Sequence, residues 1–369
     1  MKIYVIGLRG FPGVIGGVEK HCEQLYPKIA QNENIDITVF ARRSYFKKEN
    51  RKKIWKNIKF KYFFSTKNSG LETILHTFFC SIYSIFNRPN IVHFHNIGPA
   101  IFIPLLKLFK IKTVLTYHSM NYQHGKWGFF AKLVLKMGEY FGINYADKII
   151  FISKNTQKII KKKYNVNNFE YITNGVEIIK KSNSIKFLEY FNLNQNNYIF
   201  TAARLVPEKG ILDLINAFLL MKDNQFKLVI AGEADYENDY SRKIKKIAKK
   251  NESIILTGYI SGEKLSELFS NAKLFVLPSY HEGLPIALLE AMQYNLSILA
   301  SNIPGNKEVE IDANRYFKVG NLNDLKEKME FFLKEPNYTK ENLMYNNLIQ
   351  KKYNWEVIAE KTLNIFKKC

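Results

Sequence analysis

The sequence predicts an α/β protein of two domains, each a parallel β-sheet covered by helices on both faces. Three observations carry this. The chain has 369 residues, more than one ordinary core accommodates at roughly 100–200 residues per domain. Short apolar runs rich in β-branched residues alternate with longer helical patterns through the first half. The same alternation then restarts after residue 180. The composition, 46% hydrophobic and 24% charged with 10 prolines and 19 glycines, excludes long disorder and collagen-like or mucin-like repeats.

In the first series the predicted strands are residues 2–7, 36–42, 58–64, 91–95, 113–118 and 148–153, with helices at 18–31, 71–86 and 129–143 among those between them. Pro27 inside the first helix predicts a kink or an early end. The second series has strands at 198–204, 226–232, 254–258, 274–277, 297–300 and 315–319. Two such series mean two Rossmann-like domains, residues 1–175 and 176–350, with 174–197, rich in Asn, Ser, Lys and Glu, as the linker. Residues 351–369 carry a C-terminal helix, with Trp355, Ile358, Leu363 and Phe366 at helical spacing, able to cross back to the N-terminal domain. Ligands of open α/β sheets bind beyond the carboxyl ends of the strands, so a cleft between facing lobes is the expected site.

Cys22, Cys80 and Cys369 are odd in number and far apart, which fits neither a disulfide framework nor a thiolate zinc site and implies a reducing cytosol. The apolar start is broken by Arg9, too soon for a signal peptide. No run approaches the ~18 apolar residues of a membrane span. A cytoplasmic protein is expected.

The net charge of +22 is uneven: residues 1–175 hold 28 Lys and Arg against 9 Asp and Glu, and residues 176–369 hold 27 against 24. The densest run holds Arg42, Arg43, Lys47, Lys48, Arg51, Lys52, Lys53, Lys56, Lys59, Lys61 and Lys67, with Glu49 as its only acid, interleaved with Tyr45, Phe46, Ile54 and Trp55. An apolar segment, 74–86, follows. This suits the anionic inner face of a membrane, where each Lys or Arg contributes about 1 kcal/mol. A solvated basic loop before a core helix is the plainer alternative. Nucleic acid is not an expected partner, because no zinc-finger spacing, RNA-binding-sheet signature or basic-region heptad occurs.

Three motifs follow predicted strands. The first is Gly7-Leu8-Arg9-Gly10-Phe11-Pro12-Gly13-Val14-Ile15-Gly16-Gly17-Val18-Glu19. Glycines at a helix N-terminus let backbone N–H groups approach a phosphate, although the spacing is not the dinucleotide fingerprint and a plain tight turn also fits. The second, Ala203-Arg204-Leu205-Val206-Pro207-Glu208-Lys209-Gly210, places Arg204 and Lys209 beside a helix N-terminus, a cationic setting for a diphosphate or simply two solvated charges. The third runs from Pro278 to Met292, with Glu282 on a Gly/Pro loop and Glu290 about one turn into the next helix. Both carboxylates would face one cleft and accept hydrogen bonds from sugar and ribose hydroxyls. A capped surface helix is the alternative, but Glu290 lies amid Leu288, Leu289 and Met292, where an unpaired carboxylate is costly to bury.

Gly16-Gly17-Val18-Glu19, Arg204 with Lys209, and Glu282 with Glu290 together resemble the motifs of retaining glycosyltransferases of family 4, which have the two-domain GT-B fold. The resemblance covers nearly the whole chain. Gly7 to Pro12, His95-Asn96-Ile97-Gly98-Pro99-Ala100, Thr116-Tyr117-His118 and Lys126-Trp127-Gly128 further resemble a subgroup of bacterial polysaccharide clusters that includes rhamnosyltransferases and mannosyltransferases. The resemblance implies that the first domain binds acceptor and the second the nucleotide-sugar donor. It implies that Gly16 and Gly17 lie against the donor diphosphate, Arg204 and Lys209 neutralise it, and Glu290 binds the ribose. Glu282 would contact the transferred sugar, with Gly283 and Leu284 offering backbone donors. His118 matches a histidine near the anomeric centre, although a strand-end histidine can also be purely structural. His93, His95, His124 and His281 have weaker claims.

The implied activity is transfer of a hexose or deoxyhexose to a lipid-linked or polysaccharide acceptor with retention, at the inner membrane face. No metal and no cofactor beyond the co-substrate is expected, since Arg204, Lys209 and helix N-termini can stabilise phosphate charge. Residues 231–235 and 258–261 are candidates for the base pocket. One departure is Asn295 and Ser297 where the family has Gly and Pro; Asn still suits a left-handed helix end. The alternatives are an epimerase or phosphorylase on the same fold, or a non-catalytic basic protein with a vestigial cleft.

Overall fold

The computed structural model describes residues 1–14, 16–66, 71–120, 122, 128–178, 181–221, 225–234, 236–334 and 340–369. Ile15, Lys67, His124, Lys126, Trp127 and Asp235 lie outside the described residues. Two compact units are present, Met1–Asn174 with Trp355–Cys369, and Gly175–Asn354.

The first unit runs β1 (Lys2–Ile6), α1 (Gly17–Ile29), β2 (Asp36–Arg42), β3 (Ile54–Trp55), β4 (Ile58–Phe63), α2 (Glu72–Asn87), β5 (Ile91–His95), α3 (Ile103–Leu108), β6 (Lys112–Tyr117), α4 (Phe129–Tyr145), β7 (Lys148–Phe151), α5 (Lys154–Tyr164) and β8 (Phe169–Tyr171). Among the described residues these strands form one sheet in the order β3-β4-β2-β1-β5-β6-β7-β8, parallel except for the β3–β4 pair. Strand order reverses between β1 and β5, so the glycine-rich loop after β1 emerges at the switch point, where α/β sheets bind ligands.

The second unit runs α6 (Lys186–Tyr190), β9 (Tyr198–Ala202), α7 (Ile211–Leu219), β10 (Lys227–Ala231), α8 (Asp239–Lys249), β11 (Ile254–Gly258), α9 (Glu263–Asn271), β12 (Leu274–Leu277), α10 (Ile286–Gln293), β13 (Ser297–Ser301), α11 (Pro304–Lys307), β14 (Tyr316–Phe317), α12 (Leu322–Phe332) and α13 (Lys340–Lys352). Its strands are all parallel in the order β11-β10-β9-β12-β13-β14, with the reversal between β9 and β12. The final helix α14 (Trp355–Lys367) belongs to the first unit, where Trp355, Ile358 and Phe366 join Leu25, Tyr26 and Ile29 of α1 in one core.

The first helix ends at Ile29, two residues past Pro27. Asn295 takes φ +56° just after α10, as a left-handed helix end requires. The strand expected at 315–319 keeps only Tyr316 and Phe317, because Asp324 and Asn302 side chains accept the N–H groups of Lys318 and Val319 instead of a neighbouring strand. Within the expected linker, α6 forms where the buried Glu267 carboxylate accepts from the Phe187 and Leu188 amides at 2.6 and 2.8 Å.

One member of the basic run departs from the surface reading. Arg42 is buried and pairs with the buried Glu72 at 3.1 Å, so it is a structural cation of the β2–α2 contact. A buried ion pair of this kind is strongly destabilising when one partner is removed.

Candidate functional site

In the second unit, β9 and β12 are neighbours at the switch point, so the loops that leave their carboxyl ends run side by side. After β9 come half-buried Arg204, buried Leu205, a 3-10 turn at Pro207–Lys209 and Gly210 at φ +64°, which caps α7. After β12 come Pro278 to Pro285, which lead into α10. The two loops are tied together: the Tyr280 amide donates to the Glu208 carbonyl at 2.9 Å, and Tyr280 Oη to Asp213 Oδ2 at 2.5 Å.

Lys209 Nζ donates to Glu282 Oε1 at 2.5 Å, and Ser279 Oγ donates to the same oxygen at 2.7 Å. Both charged side chains are largely shielded, at 19% and 11% exposure, so this pair is worth more than a surface ion pair. The structure thus joins two residues that the sequence assigned separately, Lys209 and Glu282. It places Glu290 half-buried one turn into α10, Leu284 buried, and Gly283 half-buried on the loop between them.

Beneath them, Ser301 Oγ donates to the Ser279 carbonyl, and Asn306 Nδ2 to the Ser301 carbonyl at 2.9 Å. Gly305 backs directly on Glu282, since a Cβ there would lie 2.2 Å from the Glu282 carbonyl oxygen. Ser279, Ser301, Gly305 and Asn306 were not singled out from the sequence, because their contacts join loops of different strands. Ala231 and Gly258 close β10 and β11 at the same end of the sheet, residues 232–234 follow β10, and Gly232 N–H donates to the Gly258 carbonyl at 2.9 Å.

In the first unit Gly16 caps α1 and Gly17 begins it. Arg9 donates to Glu19 from its backbone N–H, Nε and Nη2, each at 3.0 Å. A Cβ on Gly16 would lie 2.0 Å from Glu19 Oε2 and 2.3 Å from Arg9 Nη2, whereas one on Gly17 would meet nothing within 4 Å among the described residues. Gly16 therefore makes room for the ion pair, and Gly17 leaves open space at the start of the helix. Burial pushes the Glu19 carboxyl up, but Arg9's charge and hydrogen bonds outweigh it and hold the group below its usual range.

His118 follows β6 and belongs to a buried cluster. His93 and His95 share one face of β5, and β5–β6 pairing sets His95 opposite Thr116. From α1, Tyr26 Oη lies 2.7 Å from His93 Nδ1 and 2.6 Å from His95 Nε2. His93 Nε2 meets Thr116 Oγ1 at 2.7 Å, and His95 Nδ1 meets His118 Nε2 at 2.9 Å. His21 Nδ1 pairs with Asn174 Oδ1 at 2.8 Å, and its buried Nε2 has no hydrogen-bond partner among the described residues. Burial lowers His21 to about 4 despite the Asn174 bond and His93 to about 3 with help from His21's charge, and it takes His95 and His118 well below the usual value. Burial thus favours the neutral ring in all four. Among the described residues, His21, His95 and His118 each bring a ring nitrogen within 4.8 Å of the other two.

Each of the two units resembles known proteins. Residues 15–179 match Glycosyltransferase Family 4, and residues 186–355 match Glycosyl transferases group 1. An uncharacterized glycosyltransferase of Haemophilus influenzae is 24% identical over 261 residues, covering 68% of this chain and 71% of that one. The UDP-Gal:alpha-D-GlcNAc-diphosphoundecaprenol alpha-1,3-galactosyltransferase of Escherichia coli is 28% identical over 186 residues, covering 47% of this chain and only 48% of that enzyme. Among solved structures, Anabaena Alr3699/HepE in complex with UDP-glucose covers 100% of both chains with a TM-score of 0.80 at 15% identity, a likeness of fold. With a family match over each of its two Rossmann-like units, the chain belongs to the glycosyltransferases of the GT-B fold.

Proposed function

We propose that this glycosyltransferase moves a hexose or deoxyhexose from a nucleotide-diphosphate sugar, with retention of configuration, to a lipid-linked or polysaccharide acceptor in cell-surface polysaccharide synthesis. The observation that carries this reading is the junction of the β9 and β12 loops, where Lys209 and Glu282 meet beside the N-terminus of α7. A cation and a helix N-terminus suit a diphosphate, and a carboxylate beside them suits sugar hydroxyls. In this reading Arg204 and Lys209 carry the charge that builds on the leaving diphosphate, and no resident metal or cofactor is needed. Glu282 holds the transferred sugar with the Gly283 and Leu284 backbone, and Glu290 the ribose. Gly17 leaves room at α1 for the donor diphosphate, Gly16 lets the Arg9–Glu19 pair form beside it, and His118 works at the transferred sugar. The galactosyltransferase relative is named for a UDP-sugar donor and a diphosphoundecaprenol-linked acceptor, which favours the same chemistry here.

A surface of the first unit supports a peripheral place on an anionic membrane. Strand order carries α2, α3 and α4 over one side of the sheet. They expose Phe86, Leu108, Phe129 and Phe130 at 82%, 80%, 78% and 80%. Lys110 and Lys136 are exposed beside them. The only two carboxylates between residues 72 and 145, Glu72 and Glu139, are both buried. Exposed aromatics with lysines and no exposed acid fit a headgroup layer. Among the described residues no helix is long and apolar enough to cross a membrane.

The test is product formation. The protein is incubated with a panel of nucleotide-diphosphate sugars and a lipid-linked saccharide extract, and products are read by mass and by anomeric configuration. One donor should yield a retained linkage, and Glu282→Ala should lower the rate by roughly 100-fold. Full product formation by Glu282→Ala contradicts the assignment.

A further inference from the structure

The cluster behind His118 contains a chain of four hydrogen bonds, Thr116–His93–Tyr26–His95–His118, at 2.7, 2.7, 2.6 and 2.9 Å. All three histidines are buried. We infer that Tyr26 and His95 are positioning residues, and that the single Tyr26 hydroxyl forces His93, His95 and His118 to share one tautomer.

The reasoning is a proton count. A hydroxyl has one proton, so between two imidazole nitrogens it donates to one and accepts from the other. A neutral imidazole likewise carries one proton on one of its two nitrogens. Suppose Tyr26 donates to His95 Nε2. His95 then carries its proton on Nδ1 and donates to His118 Nε2, so the His118 proton sits on Nδ1. On the other side His93 must donate to Tyr26 from Nδ1, and its Nε2 accepts from Thr116. All three histidines are then the Nδ1–H tautomer. Suppose instead that Tyr26 donates to His93 Nδ1. Every bond reverses, and all three become the Nε2–H tautomer. Mixed arrangements leave two protons, or none, in one of the bonds, or have both rings donate to Tyr26 and strand its own hydroxyl proton; each is an orphaned buried polar contact that costs about 1–3 kcal/mol.

Neutrality is a condition of this count, and burial supplies it by disfavouring the charged form of each ring. Cys22 Sγ, 3.6 Å from His95 Nε2, is compatible with either direction as a weak donor or acceptor. For His118 the tautomer decides whether Nδ1 donates or accepts a hydrogen bond. The kinetic consequence rests on the role proposed above for His118; the tautomer coupling does not.

The test is a two-bond ¹H–¹⁵N correlation spectrum of the full chain labelled in its histidines, at pH 7, with resonances assigned by single His→Gln substitutions. His93, His95 and His118 should all be neutral and all the same tautomer. One of the three differing from the other two, or an imidazolium among them, overturns the coupling. Tyr26→Phe should leave the tautomers of His93 and His95 independent. It should also lower kcat about tenfold or more, as loss of alignment does, with KM changed less than about twofold. Thr116→Val keeps Tyr26 in place and should keep all three tautomers alike, which holds the test open should Tyr26→Phe not fold. A Tyr26→Phe protein with mixed tautomers and natural kcat removes the positioning role and leaves the coupling. If the natural protein transfers no sugar, the spectrum still decides the coupling, so the two readings fail separately.

Discussion

Gly305 lies directly against the main chain of Glu282. Because an added Cβ meets main chain, at 2.2 Å from the Glu282 carbonyl oxygen and 2.7 Å from its carbon, no side-chain rotation relieves the clash. Gly305→Ala should therefore move the Glu282 loop, costing about 1–3 kcal/mol of stability and weakening donor binding; urea unfolding and donor KM measure the two effects. Arg204, Lys209 and Glu282 stood out in the sequence because they lie in loops that follow strands, and Glu290 because it is a carboxylate amid apolar residues of the next helix. Gly305 and Ser279 were not legible. Their importance arises from neighbouring strands of the sheet, β12 and β13, whose loops meet only in three dimensions. The same holds for Arg9 and Glu19, ten residues apart, whose pairing explains Gly16.

At the scale of elements, helices α1 and α2 and strand β5 bury histidines that are charged more readily when the chain unfolds. The folded values fall to about 4 for His21, through burial, and to about 3 for His76, through burial and the charge of Arg42. Below the ordinary value of 6.5 the unfolded chain binds more protons than the folded one, so stability is complete above that pH and falls as pH drops toward 4. Each such histidine should remove on the order of 2 kcal/mol between pH 7 and pH 5. Urea midpoints at the two pH values check the slope, and His21→Gln should flatten it. Most elements were legible because hydrophobic period and breakers agreed: α1 stopped just past Pro27, and Asn295 closed α10. Elements that depend on a distant partner were not. The short helix α6 exists because Glu267 accepts its first amides, and β14 is shortened because side chains take the backbone donors that would extend it.

For the whole molecule, the excess of positive charge in the first half was visible in the sequence, but its meaning depended on which residues are outside. Arg42 proved internal, while the exposed aromatics of α2 and α4 lie beyond most of the basic run. The prediction at this scale is flotation with vesicles containing a third of an acidic phospholipid and not with neutral ones. Phe129→Glu with Phe130→Glu should reduce the bound fraction at least fivefold without changing the melting temperature, and equal flotation of the natural protein with both vesicles contradicts the electrostatic part. The central claim is that the β9 and β12 loops bind a nucleoside diphosphate. Its most direct test is thermal unfolding with saturating UDP, GDP, dTDP or CDP, for the natural protein and Arg204→Ala. At 100 times its dissociation constant a ligand stabilises by about 2.7 kcal/mol, so one nucleotide should raise the melting temperature clearly, and by less in Arg204→Ala. No shift with any of the four, in a protein that unfolds cooperatively, would contradict the account.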